Sequence, residues 1–263
     1  MLVLLSPAKS LDYDSQFNCK NHSQPFFTKE IATLSKALKA VEAEDLKKLM
    51  GISDKLADLN HDRFQKFSPE FNISNSRQAL LAFNGDVYNN IEKENYSELD
   101  FDFAQNHLRI LSGFYGILKP LDLMQPYRLE MGTDFRKISL NKVIDDIQAI
   151  NLYKFWGDKI SHYLNDELKS KTNQVIINLA SGEYFSAIDL KALLPKVINI
   201  VFKEKKGDVL KIIGISAKKA RGLMANFIIK NKIQDPEELK HFTKENYQFN
   251  TDLSDDSNFI FTR

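Results

Sequence analysis

A single cysteine, Cys19, leaves the 263-residue chain without an internal disulfide, which fits a reducing compartment. Its neighbours, Asn18-Cys19-Lys20-Asn21, are polar, and the thiol reads as incidental rather than redox-active. Neither sign of charge is in excess: 36 Lys and Arg face 35 Asp and Glu, a net charge of +1. A basic coat is therefore excluded, and any nucleic acid must be held by a local patch. No apolar run approaches the ~20 residues of a membrane span. Met1–Leu5 is too short for a signal peptide and has no basic segment before it. The expected location is the cytoplasm, with no membrane partner. The chain has neither a Gly-x-Gly-x-x-Gly nor a Walker loop. Its five histidines are scattered, and no His/Cys cluster has metal-ligand spacing. No cofactor and no metal are expected, and no catalytic triad can be placed from spacing.

What is present is a foldable chain. Hydrophobic residues make up 43% and charged residues 27%, with no repeat and no low-complexity linker. One domain over 1–263 is the expectation. Leu2–Leu5 reads as a short buried strand stopped by Ser6-Pro7. Residues 29–50 carry helical periodicity, which pauses at Gly51-Ile52-Ser53 and resumes to Phe64. Residues 76–83 fit a helix or a strand, and 101–108 a helix, followed by a strand at Arg109–Ser112. The stretch 133–150 reads as a surface excursion, and 152–168 as one amphipathic helix. Val175–Leu179 and Val197–Lys203 read as strands. Lys206-Gly207-Asp208 is a hairpin turn, and 209–215 its return strand. A long helix over 216–232 follows, with Ser216 as N-cap, and Phe259–Phe261 reads as a last strand. Strands and helices alternate, which predicts a mixed α/β (α+β) fold with a mixed sheet covered by helices.

Four groups of residues can carry chemistry. Lys218, Lys219 and Arg221 fall in the first two turns of the predicted last helix. Cations there oppose the helix dipole by about 0.3–1 kcal/mol each, a conflict that a phosphate or acidic partner relieves. A solvated basic turn is the plain alternative. Residues 44–64 resemble a helix-hairpin-helix, in which Gly51, Ser53 and Lys55 would meet backbone phosphates; Ser53 stands where a second glycine is usual. Ser6 and Lys9 match a Ser-x-x-Lys pattern, although the partner motifs of the acyl-transfer enzymes that use it are missing. Polar, Gly-containing segments supply Asn84, Asp86 and Tyr88, then Ser112 and Tyr115, then Arg128, then Ser181 and Glu183. Several follow strand-like runs, where α/β proteins bind ligands, and the tyrosines are of a kind that stacks on bases.

Eight stretches together resemble the YaaA family of bacterial peroxide-stress proteins. They are 4–13, 52–57, 82–88, 100–105, 118–132, 155–158, 177–181 and 217–224, among which Lys119–Gly132 is the most specific. The resemblance covers nearly the whole chain. It implies a cytoplasmic protein that limits damage during hydrogen peroxide stress and lowers free intracellular iron. It also implies a compact fold with a helix-hairpin-helix and a positively charged cleft for double-stranded DNA. On that basis Lys9, Lys55, Arg128, Lys218, Lys219 and Arg221 are phosphate contacts, without sequence specificity. The alternative is an enzyme acting on a nucleotide or nucleobase, with Ser6, Lys9, Tyr115, Arg128 and the 218–221 helix start lining one pocket. An iron-sequestering protein is a third class, and the lack of clustered ligands speaks against it. A closed pocket favours the enzyme, and an open groove of nucleic-acid width favours DNA.

Overall fold

Four consecutive aliphatic residues have no polar face to give to water, so a strand made of them belongs between covered layers. In the computed structural model, which describes residues 1–138 and 151–263, Leu2–Leu5 is strand β1 and all four side chains are buried. Helices α1 (Thr28–Lys39), α2 (Ala43–Met50), α3 (Asp54–Lys66) and α4 (Glu98–His107) follow. Strands β2 (Leu108–Ser112) and β3 (Gly116–Leu118) come next, then helices α5 (Leu152–Trp156) and α6 (Lys159–Lys169). The last third holds β4 (Val175–Asn178), β5 (Lys196–Lys206), β6 (Val209–Lys211), α7 (Gly214–Lys230), β7 (Gln248–Phe249) and β8 (Asn258–Thr262).

The eight strands form one sheet in the order β7-β8-β5-β4-β1-β2-β3, with β6 on β5. The five central strands run parallel, while β3, β6 and β7 are antiparallel additions. The predicted mixed α/β architecture is what is observed. Register is set at the centre, where Val3 lies opposite both Leu108 and Ile177. From β1 the chain proceeds to β2 on one side, and from β4 it proceeds to β5 on the other. The two connections leave adjacent strand ends in opposite directions, which opens a crevice between them.

Several sequence expectations need revision. The helix expected over 29–50 is two helices, because buried Val41 keeps the apolar rhythm across a connection that is not helical. The helix expected over 152–168 is broken at Gly157, whose φ of 52° lies outside the helical region. Residues 76–84 are neither one helix nor one strand. Arg77–Gln78 pairs with Leu123–Met124, Ala79–Ala82 makes a single helical turn, and Phe83–Asn84 pairs with Ser10–Leu11. The return strand ends at Lys211. The last helix starts at Gly214 with Ile213 in the cap position, so Ser216 is not an N-cap. Of the expected excursion at 133–150, residues 139–150 lie outside the described residues, and Thr133, Phe135 and Ile138 are buried.

The segment after β1 is tied down through Ser23 and Asp122. The Ser23 hydroxyl donates to Asp122 Oδ1 at 2.6 Å, and the Lys119 amide donates to Oδ2 at 2.7 Å. Burial pushes the Asp122 carboxyl up to about 6, against the pull of these bonds. A carboxyl whose folded pKa is raised binds its proton more tightly in the native state. Wild type should therefore gain stability relative to Asp122→Asn as the pH falls from about 7 to about 4, measured by urea denaturation at each pH.

Candidate functional site

The crevice lies beyond the carboxyl ends of β1 and β4. Ser6 follows β1 and Ser181 follows β4, and the two meet. The Ser181 amide donates to Ser6 Oγ at 2.8 Å, and the Ser6 hydroxyl reaches Ser181 Oγ at 3.2 Å. The Tyr88 hydroxyl donates to the Ser6 carbonyl at 2.8 Å. Above this floor is a cavity of about 520 Å³. One wall is the loop after β1, Pro7 to Ser10, joined to Asn84 by the short Ser10–Leu11 ladder. Glu183 and Tyr184, in the helical turn Gly182–Phe185, also line the cavity. Lys218 and Arg221 enter from α7.

The depth at which α7 sits is set by Gly222. A Cβ at this position would collide with the Val87 carbonyl, so the helix backbone rests directly on the 85–90 turn. That contact carries Arg221 to the cavity wall beside Asp86 and Val87.

The charges divide into two groups. Lys9 pairs with Glu130 Oε2 at 2.9 Å, and Arg128 pairs with Glu130 Oε1 at 3.0 Å. One carboxylate thus serves two cations at the edge of the cavity, where Arg128, Glu130 and Tyr184 line a small side pocket. Lys218 and Arg221 have no ion pair among the described residues. Arg221 is half-buried, and its Nε is shut away from solvent without a hydrogen-bond partner. Burial lowers its pKa from the usual arginine value. A buried donor on a cation with no ion pair among the described residues is costly by about 1–3 kcal/mol, more when charged, unless water or an anion satisfies it.

The structure brings Ser6, Lys9, Asn84, Asp86, Tyr88, Ser181, Glu183, Lys218 and Arg221 to one cavity. Arg128 adjoins it. Lys219 is exposed on the same turn of α7 and does not line it. Ser112 and Tyr115 lie in the core: Ser112 Oγ is 2.6 Å from the Tyr127 hydroxyl, and the Tyr115 hydroxyl bonds both the carbonyl and the amide of Gln125. Tyr88 and Tyr115 are fully buried, which corrects their expected role as stacking platforms for bases. Ser6 and Lys9 take different partners, in a segment that is not helical, so the Ser-x-x-Lys geometry is not formed.

Gly51, Ser53 and Lys55 belong to the turn and helix start between α2 and α3, and they do not line the cavity. Gly51 takes φ 62° and returns its amide to the Lys47 carbonyl at 2.8 Å, an ordinary helix ending. Lys47 pairs with Asp54 across this turn at 2.6 Å. Glu130 and Tyr184 are site residues that sequence reading did not single out. The sequence signal for Glu130 was its place in the Lys119–Gly132 stretch, two residues after Arg128. Cys19 lies elsewhere, and burial raises its thiol pKa, the opposite of activation.

The chain as a whole is similar to known proteins. Residues 1–253 match the family model described as peroxide stress protein YaaA. The chain is 49% identical over 263 residues to a UPF0246 protein of Saccharophagus degradans, covering 100% of this chain and 99% of that one. It is 48% identical over 263 residues to a UPF0246 protein of Teredinibacter turnerae, with the same coverage. With a UPF0246 protein of Paraburkholderia xenovorans it shares 45% over 265 residues, covering 100% of this chain and 98% of the relative.

Two substitutions test the site. Arg221→Met keeps the packing of the stem and removes a charge that has no ion pair among the described residues. Its unfolding free energy should match or exceed that of wild type within about 1 kcal/mol. A loss of several kcal/mol would assign Arg221 to structure instead. Gly222→Ala should cost about 1–3 kcal/mol in urea denaturation, because backbone rather than a flexible side chain must move.

Proposed function

Since the chain belongs to the family of peroxide stress protein YaaA, we propose that it binds DNA during hydrogen peroxide stress by taking backbone phosphates at the mouth of the cleft between β1 and β4. One observation carries this reading: Arg221 is half-buried at the cavity wall, and among the described residues neither it nor Lys218 beside it has a counter-ion. A phosphate supplies the missing charge and accepts from the guanidinium. Lys219 adds a contact from the same turn. Lys9 and Arg128 share a single carboxylate, so each can turn toward a second anion without abandoning Glu130. The turn at Gly51–Ser53 and Lys55 offers a further phosphate contact. All of these go to the backbone of double-stranded DNA and carry no sequence information.

In this reading the bound protein protects DNA, and its limiting of free iron is an effect exerted through other components. Among the described residues there is no group of three or more His, Cys, Asp or Glu that could hold a metal ion. No helix among them is long and apolar enough to cross a membrane.

A second reading has a specific observation behind it. The cavity, at about 520 Å³, falls in the ~300–1,000 Å³ range of small-molecule sites, which is far narrower than a duplex. An enzyme acting on a nucleotide or nucleobase would place the phosphate at Lys218 and Arg221 and the remainder toward Ser6, Asp86 and Glu183.

The two readings separate in one experiment. Fluorescence anisotropy with a labelled duplex of about 20 base pairs is followed from about 50 to 200 mM salt, with bubble and single-stranded DNA alongside. Affinity should fall steeply, and the triple change Lys218→Ala, Lys219→Ala, Arg221→Ala should flatten the log–log slope by about 3. A flat salt response, or unchanged binding by the triple variant, overturns the DNA reading. Displacement of a mononucleotide measured by calorimetry, with no duplex binding, establishes the second.

A further inference from the structure

One segment of this nearly neutral chain carries a local excess of positive charge. Between residues 203 and 219 there are six lysines, at 203, 205, 206, 211, 218 and 219, against Glu204 and Asp208. That is a net +4 in a chain whose total is +1. None of the six lysines has an ion pair among the described residues. Glu204 does not neutralise them, because its carboxylate is engaged elsewhere. It is bound by the Ser216 hydroxyl, by the Tyr247 hydroxyl at 3.0 Å and by Arg263 at 2.9 Å, and these hold it below the usual carboxylate range.

The geometry of this segment is that of a projecting ribbon. Strand β5 pairs with β8 as far as Lys203, opposite Thr262, and its Lys205 amide still donates to the Arg263 carbonyl at 2.9 Å. It also pairs with β6, Lys206 lying opposite Val209 and Lys211 opposite Glu204 across the Gly207-Asp208 turn. The end of the hairpin, Lys206 to Val209, continues past the last of these bonds to Arg263. Lys206, Val209 and Lys211 share one face with Glu204, and Lys205 lies on the other, since opposed residues in a ladder point the same way and the period is two. Val209, Ile212 and Ile215 are 54%, 58% and 65% exposed, apolar side chains interspersed with the lysines along the chain. Ile212 leads directly into α7, whose Lys218 lines the cavity.

We propose that this ribbon is a second DNA-contact element, entering a groove of the duplex while its lysines meet the flanking phosphates. The proposal rests on the DNA reading of the cleft and deepens it. A duplex is favoured over other polyanionic surfaces for two reasons. The major groove, about 12 Å wide, admits a two-stranded ribbon. The ribbon is also continuous with the helix start that carries the cations of the cleft. The exposed side chains are β-branched aliphatics without Trp or Phe, whereas anchors on lipid surfaces favour large aromatic and leucine side chains. Apolar contact with sugars and base edges suits Val209, Ile212 and Ile215.

The test uses the full chain and two ribbon variants that leave the cleft intact. One is Lys205→Ala, Lys206→Ala, Lys211→Ala; the other is Val209→Ser, Ile212→Ser. Both alter exposed residues, and circular dichroism confirms that each folds. With the same duplex, the lysine variant should bind about tenfold more weakly near 100 mM salt, with the log–log slope reduced by about 3. The aliphatic variant should bind several-fold more weakly with an unchanged slope. If both variants bind as wild type while the Lys218, Lys219, Arg221 variant is impaired, the ribbon proposal fails and the cleft reading stands. If wild type does not bind duplex at all, both fail. Sedimentation with phosphatidylserine vesicles is the remaining arm: retention of wild type that the lysine variant loses, with its DNA affinity unaltered, assigns the ribbon to a membrane surface and overturns the proposal.

Discussion

The pairing of Leu2–Leu5 with a parallel neighbour on each side is the constraint from which the cleft follows. A four-residue strand of aliphatics is stable only when covered on both faces and bonded along both edges, and here β2 and β4 supply the edges. Because both pairings are parallel, the chain leaves all three strands at the same end of the sheet. Because β2 and β5 are reached in opposite directions, the connections diverge and leave space between β1 and β4. Ser6 and Ser181 close the floor of that space with two hydrogen bonds. A slip of one residue in β1 would exchange its faces and carry Ser6 away from the Ser181 amide.

Helix α7 places its cations asymmetrically, and the asymmetry separates structure from function. Near its C-terminal end, Lys230 bonds Asp100 at 3.1 Å, and Lys232 just beyond the helix pairs with the same carboxylate. Asp100 also closes the capping box of α4 with Ser97. Although burial opposes ionisation, these bonds hold its carboxyl well below the usual carboxylate range. Cations at that end agree with the helix dipole and staple two helices together. At the other end Lys218, Lys219 and Arg221 oppose the dipole, and none of them has an ion pair among the described residues. One helix therefore uses its last cations for its own fold, while its first ones are without an acidic partner there.

The strands that proved legible were those with no competing reading. Leu2–Leu5 and Val175–Asn178 are apolar runs ended by polar punctuation, and Gly207 marks the hairpin with φ 61°. Helix boundaries were less legible, for a physical reason. Leu152, Trp156, Ile160, Leu164 and Leu168 keep a four-residue rhythm and are all buried, yet Gly157 divides them between two helices. Periodicity reports which side chains face the core, not whether the backbone between them stays helical. The tyrosines illustrate the same limit: Tyr88 and Tyr115 stand beside glycines in polar segments, but both rings are core residues that use their hydroxyls as internal hydrogen-bond partners.

By itself the sequence determined the mixed α/β class, the absence of an internal disulfide, the near-zero net charge and the basic run at 218–221. These depend on residue type and local spacing, which fold with the chain wherever it goes. Only the tertiary structure decided which cations are free. Lys9 and Arg128 are separated from each other by more than a hundred residues, yet they share Glu130, while Lys218 and Arg221 meet no acid among the described residues. Charge balance at a site is a property of groups brought together by the sheet and its crossovers, and no local pattern encodes it.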